Sequence, residues 1–160
     1  MTNKIFKTVL LTSAILVLLP GCAGKIEALE KDIKKPEPSF RASMFELKES
    51  YALGSSIEFK MVILTDPRDS ATLVFPSTCP AEFIVYHDGE AIWNSLEGAA
   101  CLQMLNEVTY PPAETLNFSS LWNCTTSSWK GVNLGYYSVR GILLSNPPVQ
   151  TAIRTFHLVD

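Results

Sequence analysis

The stretch EFIVYHDGEAIW, residues 82–93, decides the fold. Phe83, Val85 and Ile84, Tyr86 alternate as strand residues do, and Asp88-Gly89 follows. Asp-Gly suits the two positive-φ positions of a type I′ turn, whose twist matches that of paired strands. A two-residue turn there sets His87 opposite Glu90. Continued without a slip, the register sets Ile84 opposite Trp93 and Phe83 opposite Asn94. Carried further, it brings Cys79 opposite Gly98, three residues short of Cys101, so Cys79–Cys101 is the expected disulfide, closing the open end of the hairpin.

The period of two runs outward in both directions. SIEFKMVIL places Ile57, Phe59, Met61 and Ile63 on one face. ATLVF (71–75) is short and rich in strand formers. TLNFSSLW (115–122) alternates Leu116, Phe118, Ser120 and Trp122. YYSVRGILL sets Tyr137, Val139, Gly141 and Leu143 on one side, and TAIRTFHLV (151–159) does the same with Ala152, Arg154, Phe156 and Leu158. Asp-Pro, Pro-Ser, Pro-Pro and Asn-Pro-Pro punctuate these runs. About eight or nine short strands at such spacing predict an all-β antiparallel sandwich or barrel.

The start of the chain follows a different logic. Lys4 and Lys7 precede an apolar run from Val9 to Leu19, broken only by Thr12 and Ser13. That run is too short to span a bilayer core, which takes about 20 apolar residues; a cationic start with a short apolar core is the build of a secretory signal. Leu19-Pro20-Gly21-Cys22 resembles the bacterial lipobox. The resemblance implies a signal peptide over 1–21 and a lipidated Cys22 as the first mature residue. Residues 22–40, charged and ending near Pro36 and Pro38, read as a tether, and 41–160 as the domain. The expected location is the bacterial cell envelope, with a membrane partner through the lipid anchor. Ala23 rather than Asp favours the outer membrane in a host with two.

Composition excludes several classes. Loss of Lys4 and Lys7 with the leader leaves eleven Lys plus Arg against sixteen Asp plus Glu, a net charge of about −5. A mildly acidic exported domain without a basic patch offers nucleic acid no footprint. After lipidation of Cys22 three cysteines remain, so one intrachain bridge leaves Cys124 over. Their spacing, without C-x-x-C, does not suit zinc. His87 and His157 are the histidines of the chain. Neither G-x-S-x-G nor H-E-x-x-H occurs, so no catalytic residue, metal site or cofactor is assigned and the chain is read as a non-enzyme. Asp66 and Asp69 alone fall short of the six or more oxygens that Ca²⁺ takes. Trp93 and Trp122 fall on core positions of strands, whereas Trp129 lies in the loop CTTSSWKGVN.

Three segments resemble the intracellular proteinase inhibitor (BsuPI) domain family. Phe83, Val85, Gly89 and Trp93 match its hairpin. Glu114, Leu116, Phe118 and Trp122 match its second part, and Gly131, Gly135, Tyr137, Val139 and Gly141 its third. The likeness covers roughly residues 42–145. It departs at Pro112-Ala113-Glu114, where the family has Pro-Gly-Glu, and at Asn133-Leu134, where prolines are expected. The resemblance implies an immunoglobulin-like sandwich and a protein partner, a serine protease among the candidates. Two loops are candidate contacts: LTDPRDS with Arg68, and CTTSSWKGVN with Trp129 and Lys130. Alternative readings are an envelope lipoprotein that binds a structural partner and inhibits nothing, and a carbohydrate-binding module built on Trp129.

Overall fold

The alternation at Ile57–Thr65 becomes the central strand of the molecule. In the computed structural model, which describes residues 40–160, Ile57, Phe59, Met61 and Ile63 are all fully buried. The expected signal peptide, Cys22 and nearly all of the expected tether lie outside the described residues.

Eleven strands form: β1 (Phe40–Phe45), β2 (Ser50–Ala52), β3 (Ile57–Thr65), β4 (Ala71–Ser77), β5 (Ala81–His87), β6 (Glu90–Asn94), β7 (Gln103–Tyr110), β8 (Thr115–Trp122), β9 (Gly135–Leu143), β10 (Val149–Gln150) and β11 (Arg154–Val159). They make an antiparallel sheet β1-β3-β8, a sheet β2-β11-β9-β5-β6 with β10 beside β9, and the pair β4-β7. β2 runs parallel to β11, and the other pairings are antiparallel. The fold is an all-β sandwich. Its strand count exceeds the expected eight or nine because β2 and β10 are only three and two residues long, too short to show a period. β1 begins at Phe40, the last residue of the expected tether, and pairs with β3 from Phe40↔Thr65 to Phe45↔Lys60.

Aromatic rings join the two larger sheets. The Phe59 ring lies 6.3 Å from Phe83, 6.1 Å from Trp122 and 5.9 Å from Phe156, centroid to centroid. Trp122 is fully buried and its indole N–H donates to the Thr125 carbonyl at 2.7 Å, so the polar edge of the ring is satisfied inside. Tyr137 donates its hydroxyl hydrogen to the Asn133 carbonyl at 2.7 Å, a backward tether of the kind called a tyrosine corner in sandwich proteins. Gly141 is a packing requirement: a Cβ there would stand 2.8 Å from Met61 Sδ and 3.4 Å from Met44 Sδ.

The hairpin is corrected in one respect. Asp88 and Gly89 both have positive φ, 51° and 85°, as the type I′ turn requires. His87↔Glu90 and Tyr86↔Ala91 pair as expected, but the register then shifts by one, giving Val85↔Trp93 and Ile84↔Asn94. The extra residue is Ile92, whose carbonyl is taken by the Ser127 N–H at 2.8 Å. A bulge leaves its extra residue unpaired in the ladder, and here an outside donor takes up the free carbonyl.

Cys79 and Cys101 are disulfide-bonded. Cys124 is a buried free thiol whose Sγ donates to the Ser55 carbonyl at 3.3 Å, and burial pushes its pKa up.

The departure at Ala113 has a structural cost. Ala113 sits at φ 58°, a left-handed conformation that its Cβ opposes and that glycine adopts freely. Its N–H donates to the Asp66 carbonyl at 3.0 Å, which fixes the turn in that shape. Ala113→Gly should therefore raise the unfolding free energy by about 0.5–1 kcal/mol, read as a higher urea midpoint. A lower midpoint would show that glycine's added freedom in the unfolded chain outweighs the strain removed.

Candidate functional site

Register along β3 decides which candidate residues can act together. Ile57 faces Trp122 and Leu64 faces Thr115 on β8. The Trp129 loop leaves β8 at the Ile57 end, and the Arg68 loop leaves β3 at the Thr65 end. Nine strand residues separate these ends, about 27 Å at the usual rise. Arg68 does not share a surface with Trp129 and Lys130, so a contact at one end of the sandwich engages one loop or the other.

The Arg68 loop is closed on itself. Asp66 accepts hydrogen bonds from the Arg68 backbone N–H at 2.8 Å, from Nε at 3.2 Å and from Nη2 at 3.2 Å. These bonds from Arg68 hold the Asp66 carboxyl below its ordinary pKa. Buried Thr65 accepts the Glu114 N–H at 2.7 Å and donates to the Pro111 carbonyl at 2.9 Å, tying this loop to the β7–β8 turn. Arg68 is exposed, and its guanidinium is bound by the Asp66 carboxylate.

At the other end, Trp129 projects into solvent at 85% exposure and does not fold back over the core. Its loop is tight. Thr126 N–H donates to Lys130 O at 2.7 Å, Trp129 N–H to Thr126 O at 2.9 Å, and Thr125 and Gly131 form an isolated bridge. Trp129 has φ 61°, which turns the backbone and presents the indole at the rim of a shallow groove of about 190 Å³. Trp93, Asn94, Glu97, Leu121 and Asn123 line it.

Each histidine stacks on a tyrosine. His87 stacks on Tyr137 with ring centroids 4.5 Å apart, and its Nδ1 lies 3.0 Å from the Tyr136 carbonyl. His157 stacks on the outer face of Tyr136 at 4.3 Å. Among the described residues no three His, Cys, Asp or Glu side chains gather as a metal site would need, and no helix is long and apolar enough to cross a membrane.

Sequence reasoning passed over a third surface. Among the described residues β7 pairs with β4 alone, and residues 103–107 are exposed on both faces of the strand. Leu102, Met104 and Leu105 are 68%, 54% and 78% exposed. Three large aliphatic side chains within four residues make an exposed cluster of the kind that marks contact surfaces. The available signal was the apolar content of CLQML, placed just after a cysteine expected to be bridged.

The family model of BsuPI, "Intracellular proteinase inhibitor", matches residues 45–148, about two thirds of the chain. The chain belongs to the BsuPI family. The match spans β2 to β9, including β7 and both candidate loops. No curated protein matches the chain. Among solved structures, a beta-glucosidase from Listeria innocua in complex with glucose is 12% identical with a TM-score of 0.44, over 76% of this chain and 16% of that one. Pseudomonas fluorescens alkylpurine DNA glycosylase AlkC is 9% identical with a TM-score of 0.44, over 76% of this BsuPI chain and 31% of its own. Spo0M, a sporulation control protein from Bacillus subtilis, is 9% identical with a TM-score of 0.43, over 76% and 49%. The BsuPI chain thus spans from a sixth to a half of the length of these proteins.

Proposed function

We propose that this BsuPI chain is a lipid-anchored envelope protein whose domain binds and inhibits a protease, a serine protease in the first instance. The observation that carries the reading is the family match over 45–148. Its surface supports the reading, because exposed apolar side chains on fixed backbone are what a protein partner grips. A protease–inhibitor contact buries about 800 Å² per partner, more than one loop tip supplies. Export is supported by the cationic and apolar leader, by Leu19-Pro20-Gly21-Cys22 and by the Cys79–Cys101 bridge, since disulfides persist in oxidising compartments. Two acyl chains at Cys22 would hold the chain on a membrane, at about 0.8 kcal/mol per buried methylene.

A second reading, sugar binding, is favoured by Trp129 at the rim of a groove lined by Asn94, Glu97 and Asn123. Quenching of Trp129 fluorescence by oligosaccharides, with proteases unaffected, would select it.

One experiment with two arms tests the proposal. The full chain expressed in a bacterium should take up labelled palmitate and sediment with membranes, and Cys22→Ser should do neither. The detergent-purified chain, titrated into a panel of serine proteases, should inhibit at least one of them stoichiometrically. A soluble wild-type chain would overturn the anchor, and a panel untouched at micromolar concentration would overturn the inhibition.

A further inference from the structure

The exposed start of β7 bulges opposite Pro76. Phe75 pairs with Asn106 and Ser77 with Gln103, so Pro76 stands opposite two residues, Met104 and Leu105. Proline has no N–H to give the ladder, and a bulge forms where the donor is missing. Leu105 lies in the bulge and, at 78% exposure, is the most exposed of the large aliphatic side chains described.

The segment is nevertheless held on both sides. At its start, Thr78 N–H donates to Leu102 O at 3.0 Å and Leu102 N–H donates to Thr78 Oγ1 at 3.0 Å. One residue earlier, Cys101 is bonded covalently to Cys79. At its end, Asn106, Glu107 and Val108 pair with Phe75, Val74 and Leu73. Between these anchors the backbone is extended, its outer edge is unpaired among the described residues, and its side chains face solvent on both sides.

We propose that Leu102–Asn106 is the segment with which this chain fills a protease's substrate cleft, Leu105 entering the pocket that reads the residue before the scissile bond. The inference rests on the inhibitor reading above and assigns its contact surface. An edge strand can add to another chain through its main-chain groups while alternate side chains enter pockets. Because the segment is already extended and tied at both ends, little ordering is needed on binding. Leu-Gln-Met-Leu-Asn carries no charge, and Leu105 is aliphatic. The matching enzyme has an apolar specificity pocket, as chymotrypsin has, and not the acidic pocket of trypsin. The rival loops fit less well. Arg68 would have to give up the Asp66 carboxylate, and Trp129 sits on a turned backbone rather than an extended one.

Slow hydrolysis would mark the same place. Water would add across the Leu105–Asn106 peptide bond, leaving a carboxylate on Leu105 and an amine on Asn106. Both new ends would stay attached, one through Cys101 and the other through the ladder with β4.

The test is inhibition of chymotrypsin, subtilisin and trypsin by the full chain in detergent, for wild type, Leu105→Lys and Ile153→Lys, with mass spectrometry of any nicked product. Thermal unfolding checks that each variant is folded. Wild type should inhibit chymotrypsin or subtilisin and spare trypsin. Leu105→Lys should weaken that inhibition by about a hundredfold, as loss of a central anchor does, and gain inhibition of trypsin. Ile153→Lys, a swap at an exposed apolar residue outside both loops and β7, should change nothing. Nicking after Leu105 supports the assignment. Wild-type inhibition that Leu105→Lys leaves intact, or a nick after Arg68 or Lys130, overturns it and leaves the inhibitor reading standing. Absence of wild-type inhibition of all three enzymes overturns the assignment of an apolar-pocket protease; if the wider serine-protease panel is silent too, the inhibitor reading falls with it.

Discussion

Phe59→Ala should cost about 4 kcal/mol of unfolding free energy, within the range for deleting a buried phenylalanine. Phe59 is fully buried, and its ring meets those of Phe83, Trp93, Trp122 and Phe156, two sheets' worth of aromatic contacts on one side chain. The four neighbours hang from β5, β6, β8 and β11, strands whose own pairings fix their positions. They cannot all move in to fill the space, so most of the cavity remains and its penalty is felt in full. A domain of this size holds about 5–15 kcal/mol in total. The variant therefore loses between about a quarter and four fifths of the wild-type margin. Urea unfolding followed by tryptophan fluorescence reads the loss directly, and Trp122 is itself a neighbour of the lost ring. Phe59→Leu, which retains most of the volume, should cost less than half as much. A loss below about 1.5 kcal/mol for Phe59→Ala would mean that the site collapses and that the two sheets are not held apart by their own pairing.

The elements that fill the core were legible because one face of each is buried. β3, β8 and β9 carry their pattern in the open: Ile57, Phe59 and Met61 alternate with Glu58 and Lys60 at the start of β3, and Tyr137, Val139, Gly141 and Leu143 line the facing sheet. The turn at Asp88-Gly89 was equally plain, since positive φ at both positions restricts the residues that fit. What followed it was not. The bulge at Ile92 goes with a hydrogen bond from Ser127, a partner from a distant loop that no local pattern names. β7 was illegible for the opposite reason. Its first five residues bury neither face, so nothing in QMLNE alternates, and its strand identity comes from β4. The separation of Arg68 from Trp129 also depended on register, which assigns loops to ends only after β3 and β8 are aligned. Of the candidate contacts, sequence could supply exposed residue types but not their company. It could not show that Arg68 is held by Asp66, or that Met104 and Leu105 fall at a bulge opposite Pro76.

Removing the Cys79–Cys101 bridge, by Cys79→Ser with Cys101→Ser, should lower the unfolding free energy by about 3 kcal/mol in the chain-entropy account. The bridge closes a loop with a sequence separation of 22 that contains the β5–β6 hairpin, so it restricts an unfolded chain that would otherwise be free over that length. The native state has less to lose globally, because β5 is held on its other side by β9 from Ala81↔Leu143 to Tyr86↔Ser138. It loses more locally. Without the bridge, the Leu102 end of the exposed segment is kept by its two hydrogen bonds to Thr78 and by the Ser77↔Gln103 pairing. Amide exchange at residues 101–105 should therefore accelerate more than exchange in β3, and an added protease should cut between 99 and 106 sooner. The urea midpoint of the double variant should match that of the reduced wild type. A midpoint change worth less than about 0.5 kcal/mol would mean that the unfolded chain is already constrained over this loop, which the chain-entropy account excludes. Because Phe59 and the bridge share no partner in the structure, the two losses should add. Their sum, about 7 kcal/mol, falls inside the range of total stability for such a domain. The triple variant should then unfold at a lower urea midpoint than either parent, by the sum of the two losses.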